Sequence, residues 1–326
     1  MRSVVCFGEA LIDFLAEPAP DPQAPQHFVR HAGGAPANVA VAVARLGTSS
    51  VFVGMLGRDM FGDFLLERLG AAGVSTAHVV RTDAAKTALA FVSLDTHGER
   101  CFSFYRPPAA DLLFRPQHFN AACFSDAAIF HACSNSLTDG GIADATLDGM
   151  HRAHATGALV SFDMNLRPNL WVKGVDPRAR IWHALHEAAL VKLSAPELAF
   201  LAEPLGGEQQ VLTGLWRGRT QWLWVTDGAA TLRHYTRSGR GTLPAFPVQT
   251  VNTTAAGDAF VGGMLSWLVR AGVNADTLTG FLDDAARMNT ALRFAAACGA
   301  LAVTRHGAFE AMPSRIEVED FVRVHA

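Results

Sequence analysis

Residues 251–260 read Val-Asn-Thr-Thr-Ala-Ala-Gly-Asp-Ala-Phe, a cluster of small residues that leads into one carboxylate and then an apolar run. Apolar residues recur at helical spacing from Phe260 to Leu268, so the pattern predicts a helix that begins near Gly257. Small residues at a helix start expose backbone N–H groups, and the helix dipole favours an anion such as a phosphate group. Asp258 would repel that phosphate but could accept the proton of a hydroxyl attacking it. The stretch predicts an anion site with a general base beside it, against the alternative of an ordinary helix start.

A second cluster of small residues lies near the other end of the chain. Residues 33–38 read Gly-Gly-Ala-Pro-Ala-Asn and open another helical pattern, in which Pro36 suits the first turn. Gly33 and Gly34 would let a small polar ligand approach the backbone closely. Asn38 offers both donors and an acceptor to such a ligand. The cluster therefore predicts a polar-ligand site at a helix start.

Composition bounds the class of protein. A chain of 326 residues with 50% hydrophobic and 17% charged residues can bury one large α/β core. A net charge of −3 and a pI near 6.5 give no basic surface for nucleic acid or anionic lipid. The most apolar run, 292–303, is short and alanine-rich, which favours a buried helix over a membrane span. The sequence opens without a leader pattern and its five cysteines are scattered, so we expect a cytoplasmic protein with no disulfide framework or zinc site.

Short apolar runs alternate with amphipathic ones along most of the chain. Predicted strands cover 4–7, 51–55, 128–131, 159–163, 190–193 and 223–226. Predicted helices cover 36–46, 60–73, 139–156, 177–188, 196–203, 208–217, 257–271 and 276–299. This alternation predicts a mainly parallel sheet with helices on both faces, and functional residues at the carboxyl ends of its strands.

Two stretches depart from that alternation. Residues 9–31 hold two extended pieces around a proline-rich turn, and residues 87–106 alternate like a hairpin with its turn at 95–99. These strands are not consecutive with the strands of the main sheet. We therefore expect them to form a small separate sheet.

Together, the two small-residue clusters resemble the two signatures of the PfkB, or ribokinase-like, family of carbohydrate kinases. The similarity runs from Gly-Glu-Ala-Leu-Ile-Asp at 8–13 to Val-Thr-Arg-His-Gly-Ala at 303–308. The resemblance implies a ribokinase-like α/β fold in a single domain over 1–326. Lid strands from about 9–31 and 87–106 would be inserted in the α/β core, covering the sugar and joining a homodimer. It also implies ATP and Mg²⁺ as cofactors, with K⁺ as a further candidate.

The resemblance assigns roles to particular residues. To the sugar site it assigns Asp13, Gly33, Gly34, Asn38, Phe104, Arg106, Asn165 and Asp258. To phosphoryl transfer it assigns Asp258 as base, the N–H groups of Ala255, Ala256 and Gly257 as the anion hole, and Arg167 as a stabiliser of charge. Arg106 would project from the lid toward the substrate. Pairing of Arg167 with Asp163 is the structural alternative for that arginine.

The nucleotide and metal sites follow from the same resemblance. The nucleotide would contact Ser194, Thr226, Gly228 and Gly257, and the adenine would rest near the alanine-rich segment 295–298. Glu197 would organise Mg²⁺ and its waters, against the alternative of a helix-cap carboxylate. Backbone carbonyls of Asn252, Thr254, Ala302, Arg305 and Gly307 would enclose K⁺. Ser194 and Asn252 depart from the family's usual Asn and Asp.

The implied reaction is transfer of the ATP γ-phosphoryl group to a ketohexose, which is fructose giving fructose 6-phosphate in the fructokinase branch. Residues 104–111 are typical of that branch, whereas the Asp-Met-Asn-Leu-Arg stretch at 163–167 is typical of both the fructokinase and the 2-keto-3-deoxygluconate kinase branches. A 2-keto-3-deoxygluconate kinase, in which Arg106 and Tyr105 would bind the acid group, stays open, as does a non-catalytic sugar or nucleotide sensor. A Walker loop, a protein-kinase motif set and a Gly-x-Gly-x-x-Gly after the first strand are all absent from the sequence.

Overall fold

The computed structural model describes residues 2–17, 25–94 and 100–325. The strands of the large sheet are β1 (Ser3–Phe7), β4 (Ser50–Gly57), β5 (Ser75–Thr82), β8 (Ala127–Cys133), β9 (Leu159–Asp163), β10 (Leu190–Ser194), β11 (Trp222–Thr226), β12 (Leu232–Thr236) and β13 (Arg240–Leu243). Their order is β13-β12-β11-β10-β9-β8-β1-β4-β5. All neighbours pair in parallel except β12 with β11 and with β13, which are antiparallel. The predicted mainly parallel sheet is confirmed.

Helices cover both faces of this sheet. They are α1 (Ala35–Arg45), α2 (Met60–Ala71), α3 (Ala122–Ser125), α4 (Gly140–Ala155), α5 (Arg178–Glu187), α6 (Ala195–Ala202), α7 (Glu208–Arg217), α8 (Ala256–Arg270), α9 (Leu278–Leu282), α10 (Ala285–Ala302) and α11 (Arg315–Val324). Successive residues of β1 point to opposite faces, with Val4 and Cys6 in the core under α1, α8 and α10. Val5 and Phe7 lie in the second core, with α4, α5 and α7. Along the described chain no helix has the length and apolarity needed to cross a membrane.

Some predicted boundaries are wrong. The single helix predicted over 276–299 is two helices, α9 and α10, because Asp284 caps the second by accepting from the Arg287 N–H at 3.0 Å. The β-like run expected after the 226–229 turn is β12, but β5, β13, α3 and α11 were not predicted. β5 is an edge strand of half-buried polar and apolar residues, so it lacks the continuous apolar run that identified the central strands.

The small sheet is separate, as predicted, and contains β2 (Leu11–Ala16), β3 (Phe28–Gly33), β6 (Leu89–Leu94) and β7 (Arg100–Tyr105) in the order β3-β2-β6-β7. β6 and β7 form the expected antiparallel hairpin. Its predicted turn at 95–99 and most of the proline-rich turn, 18–24, lie outside the described residues. The assignment of the whole chain to one domain stays a prediction.

Helix α8 packs closely on α1 because Gly262 has no side chain. A β-carbon at Gly262 would collide with that of Ala42. On its other side Gly263 lies against α10, where an added β-carbon would be 2.7 Å from the Cys298 sulfur. The two glycines therefore set the distance between α8 and its neighbours, and with it the position of the first turn of α8.

We predict that Gly262→Ala lowers the free energy of unfolding by about 1–3 kcal/mol, the usual cost of overpacking a core. Gly70→Ala in α2 is the matched control, because among the described residues nothing beyond its chain neighbours and its own helix backbone lies within 4 Å of the added β-carbon. The control should be at least as stable as wild type, since Ala favours a helix over Gly. Urea denaturation measures both. Equal stability of the two variants would contradict close α1–α8 packing.

Candidate active site

The carboxyl ends of the parallel strands bring together polar residues from distant parts of the sequence. In the strand register, Asp163 at the end of β9 lies beside Lys192 of β10. At the end of β10, Ser194 lies beside Thr226 of β11. This is the edge at which the sequence analysis expected functional residues.

Asp258 and Asn38 join the two small-residue clusters at this edge. The Asn38 amide donates to Asp258 Oδ2 at 2.7 Å, between the first turns of α8 and α1. The pKa of Asp258 is raised to about 7, mainly by burial. The Asp163 carboxylate contributes to this rise, whereas the hydrogen bond from Asn38 and the charge of Lys192 oppose it. A carboxyl group whose pKa lies near neutrality can act as a general base at physiological pH. Asn38 Oδ1 is buried without a hydrogen-bond partner among the described residues, so it can accept from a ligand hydroxyl.

Helix α8 begins without a capping side chain at its N-cap, Ala255. The Ala256 N–H makes only a long bond, 3.4 Å, to the Thr253 carbonyl. Backbone donors of the first turn are therefore not occupied by a side-chain cap, as an anion hole requires. The assignment of Ala255, Ala256 and Gly257 to that hole is consistent with this geometry and stays a prediction.

Asp13 of β2 is paired with His31 of β3, and its side chain reaches over Gly33. A β-carbon at Gly33 would collide with the Asp13 carboxylate, so this glycine provides the space for that group. Gly34 has a φ of 105°, which favours glycine, and a β-carbon there would lie 2.6 Å from the Glu9 carbonyl oxygen. Burial raises the pKa of Asp13 to about 7, opposed by the Arg167 charge and reinforced by Glu9.

Arg167 stands between the two carboxylates that flank the site. Its charge lowers the pKa of both Asp13 and Asp258. Among the described residues it forms no ion pair, and its guanidinium donates to the Leu166 carbonyl at 3.2 Å. Pairing with Asp163 is therefore not its role here, because Lys192 Nζ takes that carboxylate at 3.1 Å. The sequence analysis missed Lys192; a lone charge inside an apolar strand, Val191-Lys192-Leu193, is the signal that could have found it.

Glu197 supports the loop that carries Asn165. Glu197 Oε1 accepts from the Leu166 N–H at 2.8 Å, and Oε2 accepts from the Ser194 N–H at 2.6 Å. Asn165 has a φ of 37° and donates its N–H to Asp163 Oδ1 at 3.1 Å, so the loop holds a strained turn. Glu197 therefore both caps α6 and stabilises the loop that contains Asn165. Its role near Mg²⁺ stays a prediction.

Arg106 differs from its expected orientation. Its side chain is 2% exposed and pairs with Asp111 at 2.6 Å, while it also donates to the Asn135 carbonyl at 2.8 Å. The guanidinium therefore does not project freely from the small sheet, because two buried acceptors hold it. Phe104, on the same strand, packs with the small buried cluster that contains Leu11. Contact of either residue with a sugar stays a prediction.

The predicted nucleotide and potassium residues include two loop segments, the turn after β11 and the loop at 251–254. Gly228 occupies an exposed turn after β11, with a φ of 55°. The loop at 251–254 is attached to the end of α10 because the Asn252 N–H donates to the Val303 carbonyl at 3.0 Å. Asn252 Oδ1 accepts from the Thr254 N–H at 2.9 Å, a turn that an amide supports as well as the usual Asp.

Two further expectations bear on ligands in this region. The Ala302 carbonyl accepts from the Arg305 N–H at 3.3 Å, so one predicted K⁺ ligand already carries a long hydrogen bond. The expected adenine contact at 295–298 is wrong for Ala295 and Cys298. Both are fully buried against Gly263 and form part of the core.

Comparison with known proteins identifies the family. The sequence matches the pfkB family carbohydrate kinases over residues 1–315, and the chain belongs to this family. A fructokinase from Xylella fastidiosa, solved with bound ATP, is 56% identical with a TM-score of 0.95, covering 99% of this chain and 98% of that chain. The ribokinase-like fold and the carbohydrate kinase class are confirmed.

Two other relatives extend the comparison. Fructokinase-1 of Oryza sativa subsp. japonica is 43% identical over 97% of this chain and 96% of its own length. A double mutant of the fructokinase from Vibrio cholerae O395, solved with fructose, ADP and a potassium ion bound, is 32% identical. Its TM-score is 0.86, covering 99% of this chain and 98% of that chain.

We predict that Asp258→Asn, which keeps the side-chain shape but removes the proton acceptor, lowers kcat by at least about 10²-fold, because general-base catalysis contributes about 10²–10⁴-fold. The KM for the sugar should change little. Steady-state kinetics with Mg·ATP measures both constants. A variant that keeps more than about a tenth of wild-type kcat would disprove the assignment, since a lost base costs at least the lower figure.

Proposed function

We propose that the chain is a fructokinase, which transfers the γ-phosphoryl group of ATP to the 6-hydroxyl of fructose and releases ADP. The observation that carries the proposal is the hydrogen bond between Asn38 of the polar-ligand motif and Asp258, a carboxyl group whose pKa is raised to about 7 and which therefore suits the role of base. The identity to fructokinases over almost the whole chain supports the choice of substrate.

The reaction needs one proton transfer and stabilisation of phosphoryl charge. Asp258 accepts the proton of the attacking hydroxyl as the new O–P bond forms and the bond to ADP breaks. Asn38 Oδ1 and the Asp13 carboxylate accept hydrogen bonds from other sugar hydroxyls. The N–H groups at the start of α8 and the Arg167 guanidinium stabilise the transferred group.

Magnesium fits the site only with few protein ligands. The described residues contain no group of three or more His, Cys, Asp or Glu side chains that could hold a metal. Mg²⁺ usually keeps several waters and binds through phosphates, and it supplies neutralisation of phosphate charge. Glu197 already accepts two backbone N–H groups, but a carboxylate has about four lone-pair sites and can also accept from metal-bound water.

Potassium is proposed for the carbonyls of Asn252, Thr254, Ala302, Arg305 and Gly307. The contact between the 251–254 loop and Val303 supports this set, because it brings the two segments together. The cytoplasmic location stays a prediction.

A neutral ketose suits this site better than an acid sugar. The carboxylate of 2-keto-3-deoxygluconate would need an available cation, and Arg106 is already neutralised by Asp111. Of the two cations that act on Asp258, Lys192 is paired with Asp163, and phosphoryl transfer uses Arg167.

We therefore predict that kcat/KM for fructose exceeds that for 2-keto-3-deoxygluconate by at least about 10²-fold, because a site without a partner for a buried carboxylate rejects it. Initial rates with both sugars at saturating Mg·ATP measure the ratio. Ribose and adenosine serve as controls for the other branches of the family. A ratio that favours the acid sugar would assign the chain to the 2-keto-3-deoxygluconate branch instead.

We also propose that the small sheet binds a second copy of this chain. One face of the sheet holds an aromatic row in which Phe91 contacts Phe14 at 5.0 Å, Phe28 at 5.4 Å and Tyr105 at 5.2 Å between ring centroids. Phe28 is 40% and Tyr105 66% exposed. Exposed aromatic residues on a sheet that carries Asp13 on its other face fit a homodimer through the lids.

We predict that Tyr105→Glu converts the dimer to a monomer at micromolar concentration, because a carboxylate cannot be buried in an aromatic interface without a partner. Sedimentation velocity measures the change. Ile316→Glu on α11 is the matched control, since Ile316 is 68% exposed away from the sheet. A wild-type monomer, or a dimer that survives Tyr105→Glu, would contradict a lid interface.

A further inference from the structure

Lys192 is a buried cation that has no assigned role in the proposed reaction. It lies on β10, one of the central strands, with its side chain 8% exposed. The ammonium is 3.1 Å from Asp163 Oδ1. A buried charge costs several kcal/mol unless it is paired, so an apolar residue would be expected at this position in a strand that had only a structural task.

The same ammonium reaches the start of α8. A β-carbon built on Gly257 would lie 3.2 Å from Lys192 Nζ, and among the described residues outside its chain neighbours and its own helix backbone only that lysine has atoms within 4 Å. Gly257 does not have a positive φ, so its backbone conformation does not require glycine. The glycine of the motif instead leaves room for the lysine side chain.

Asp163 connects Lys192 to the loop that carries Arg167. Asp163 Oδ1, the oxygen that pairs with the Lys192 ammonium, also accepts a hydrogen bond from the Asn165 N–H at 3.1 Å. Asn165 is the strained residue of this loop. A displacement of Asp163 would therefore release the turn that precedes Arg167. The lysine thus contacts both halves of the transfer site, the β9 loop through Asp163 and the first turn of α8 at Gly257.

Other charges around the ammonium keep it protonated. Asp163, Glu197 and Asp258 all raise the pKa of Lys192 against the effect of burial. His131, from the strand on the other side of β9, has its pKa lowered to about 3 by burial and by Lys192, so it stays neutral. Lys192 is therefore a fixed positive charge among the carboxylates.

We propose that Lys192 is a positioning residue for phosphoryl transfer. Its ammonium fixes the position of Asp163 and of the Arg167 loop relative to the first turn of α8. The inference rests on the proposed function, because it concerns the same transfer site. It requires no direct contact between the lysine and either substrate.

Lys192→Met tests this role, because methionine fills nearly the same volume beneath Gly257 but cannot bind Asp163. We expect kcat to fall by about 10²-fold, as for the loss of a group that pre-organises a transition state. The KM for ATP should stay within about threefold, and the KM for sugar should rise by less than kcat falls, because Asn165 of this loop is only one of the residues assigned to the sugar site. Lys173→Met, at an exposed lysine, is the matched control and should keep wild-type constants.

A mutant cycle with Asp163→Asn separates a positioning role from a structural one. If Lys192 acts through Asp163, the double variant should have a kcat within about threefold of the worse single variant, because coupled residues are not additive. The double variant also leaves no unpaired buried charge, so it carries the test if Lys192→Met does not fold. Its kcat should then be about 10²-fold below wild type.

Three results would overturn the proposal. They are a folded Lys192→Met variant with kcat within about threefold of wild type, a rise in KM that accounts for the whole loss, and losses that multiply in the double variant. Each kcat and KM is expressed as a ratio to the wild-type value, measured with whichever sugar the wild type phosphorylates. Failure of wild type to use fructose would therefore disprove the proposed function and leave this comparison intact.

Discussion

The hydrogen bond between Asn38 and Asp258 is the contact on which the rest of the site depends. It joins residues 220 positions apart in the chain and connects the first turns of α1 and α8. Neither helix could approach closely enough if Gly262 carried a side chain, because its β-carbon would meet Ala42. The close packing of α1 and α8 thus places the Asp258 carboxylate against the polar-ligand motif.

Burial then determines the chemistry of the carboxylates at this edge. The pKa of Asp13 and of Asp258 rises to about 7, because each is removed from water and has another carboxylate nearby. Arg167 limits both pKa shifts, and Lys192 also limits that of Asp258. Carboxylates with pKa values near neutrality lose their protons easily at physiological pH yet still accept one from an alcohol, which is what transfer to a sugar hydroxyl demands.

Much of the fold could be predicted from the sequence, because the central strands are continuous apolar runs and the small-residue motifs have few alternative uses. The edge strand β5 and the division between α9 and α10 could not, since they depend on a half-exposed strand and on one capping carboxylate, Asp284. Within the site, the sequence predicted which residues are present better than it predicted the side chains with which they pair. Arg106 was expected to face the sugar, but its buried pairing with Asp111 depends on tertiary contacts that no spacing reveals. Lys192 was missed although a lone charge in an apolar strand is a sequence signal; its pairing with Asp163 is again a tertiary contact.

The most direct test of the central claim, that Asp258 is the general base, is the pH dependence of kcat/KM for fructose at saturating Mg·ATP. The base acts only when deprotonated, and burial places its pKa at about 7. We expect kcat/KM to rise with pH to a plateau, with an apparent pKa near 7 for the acid limb. A profile that stays flat down to about pH 5 would show that the essential base titrates like an ordinary exposed carboxylate, and would contradict the assignment.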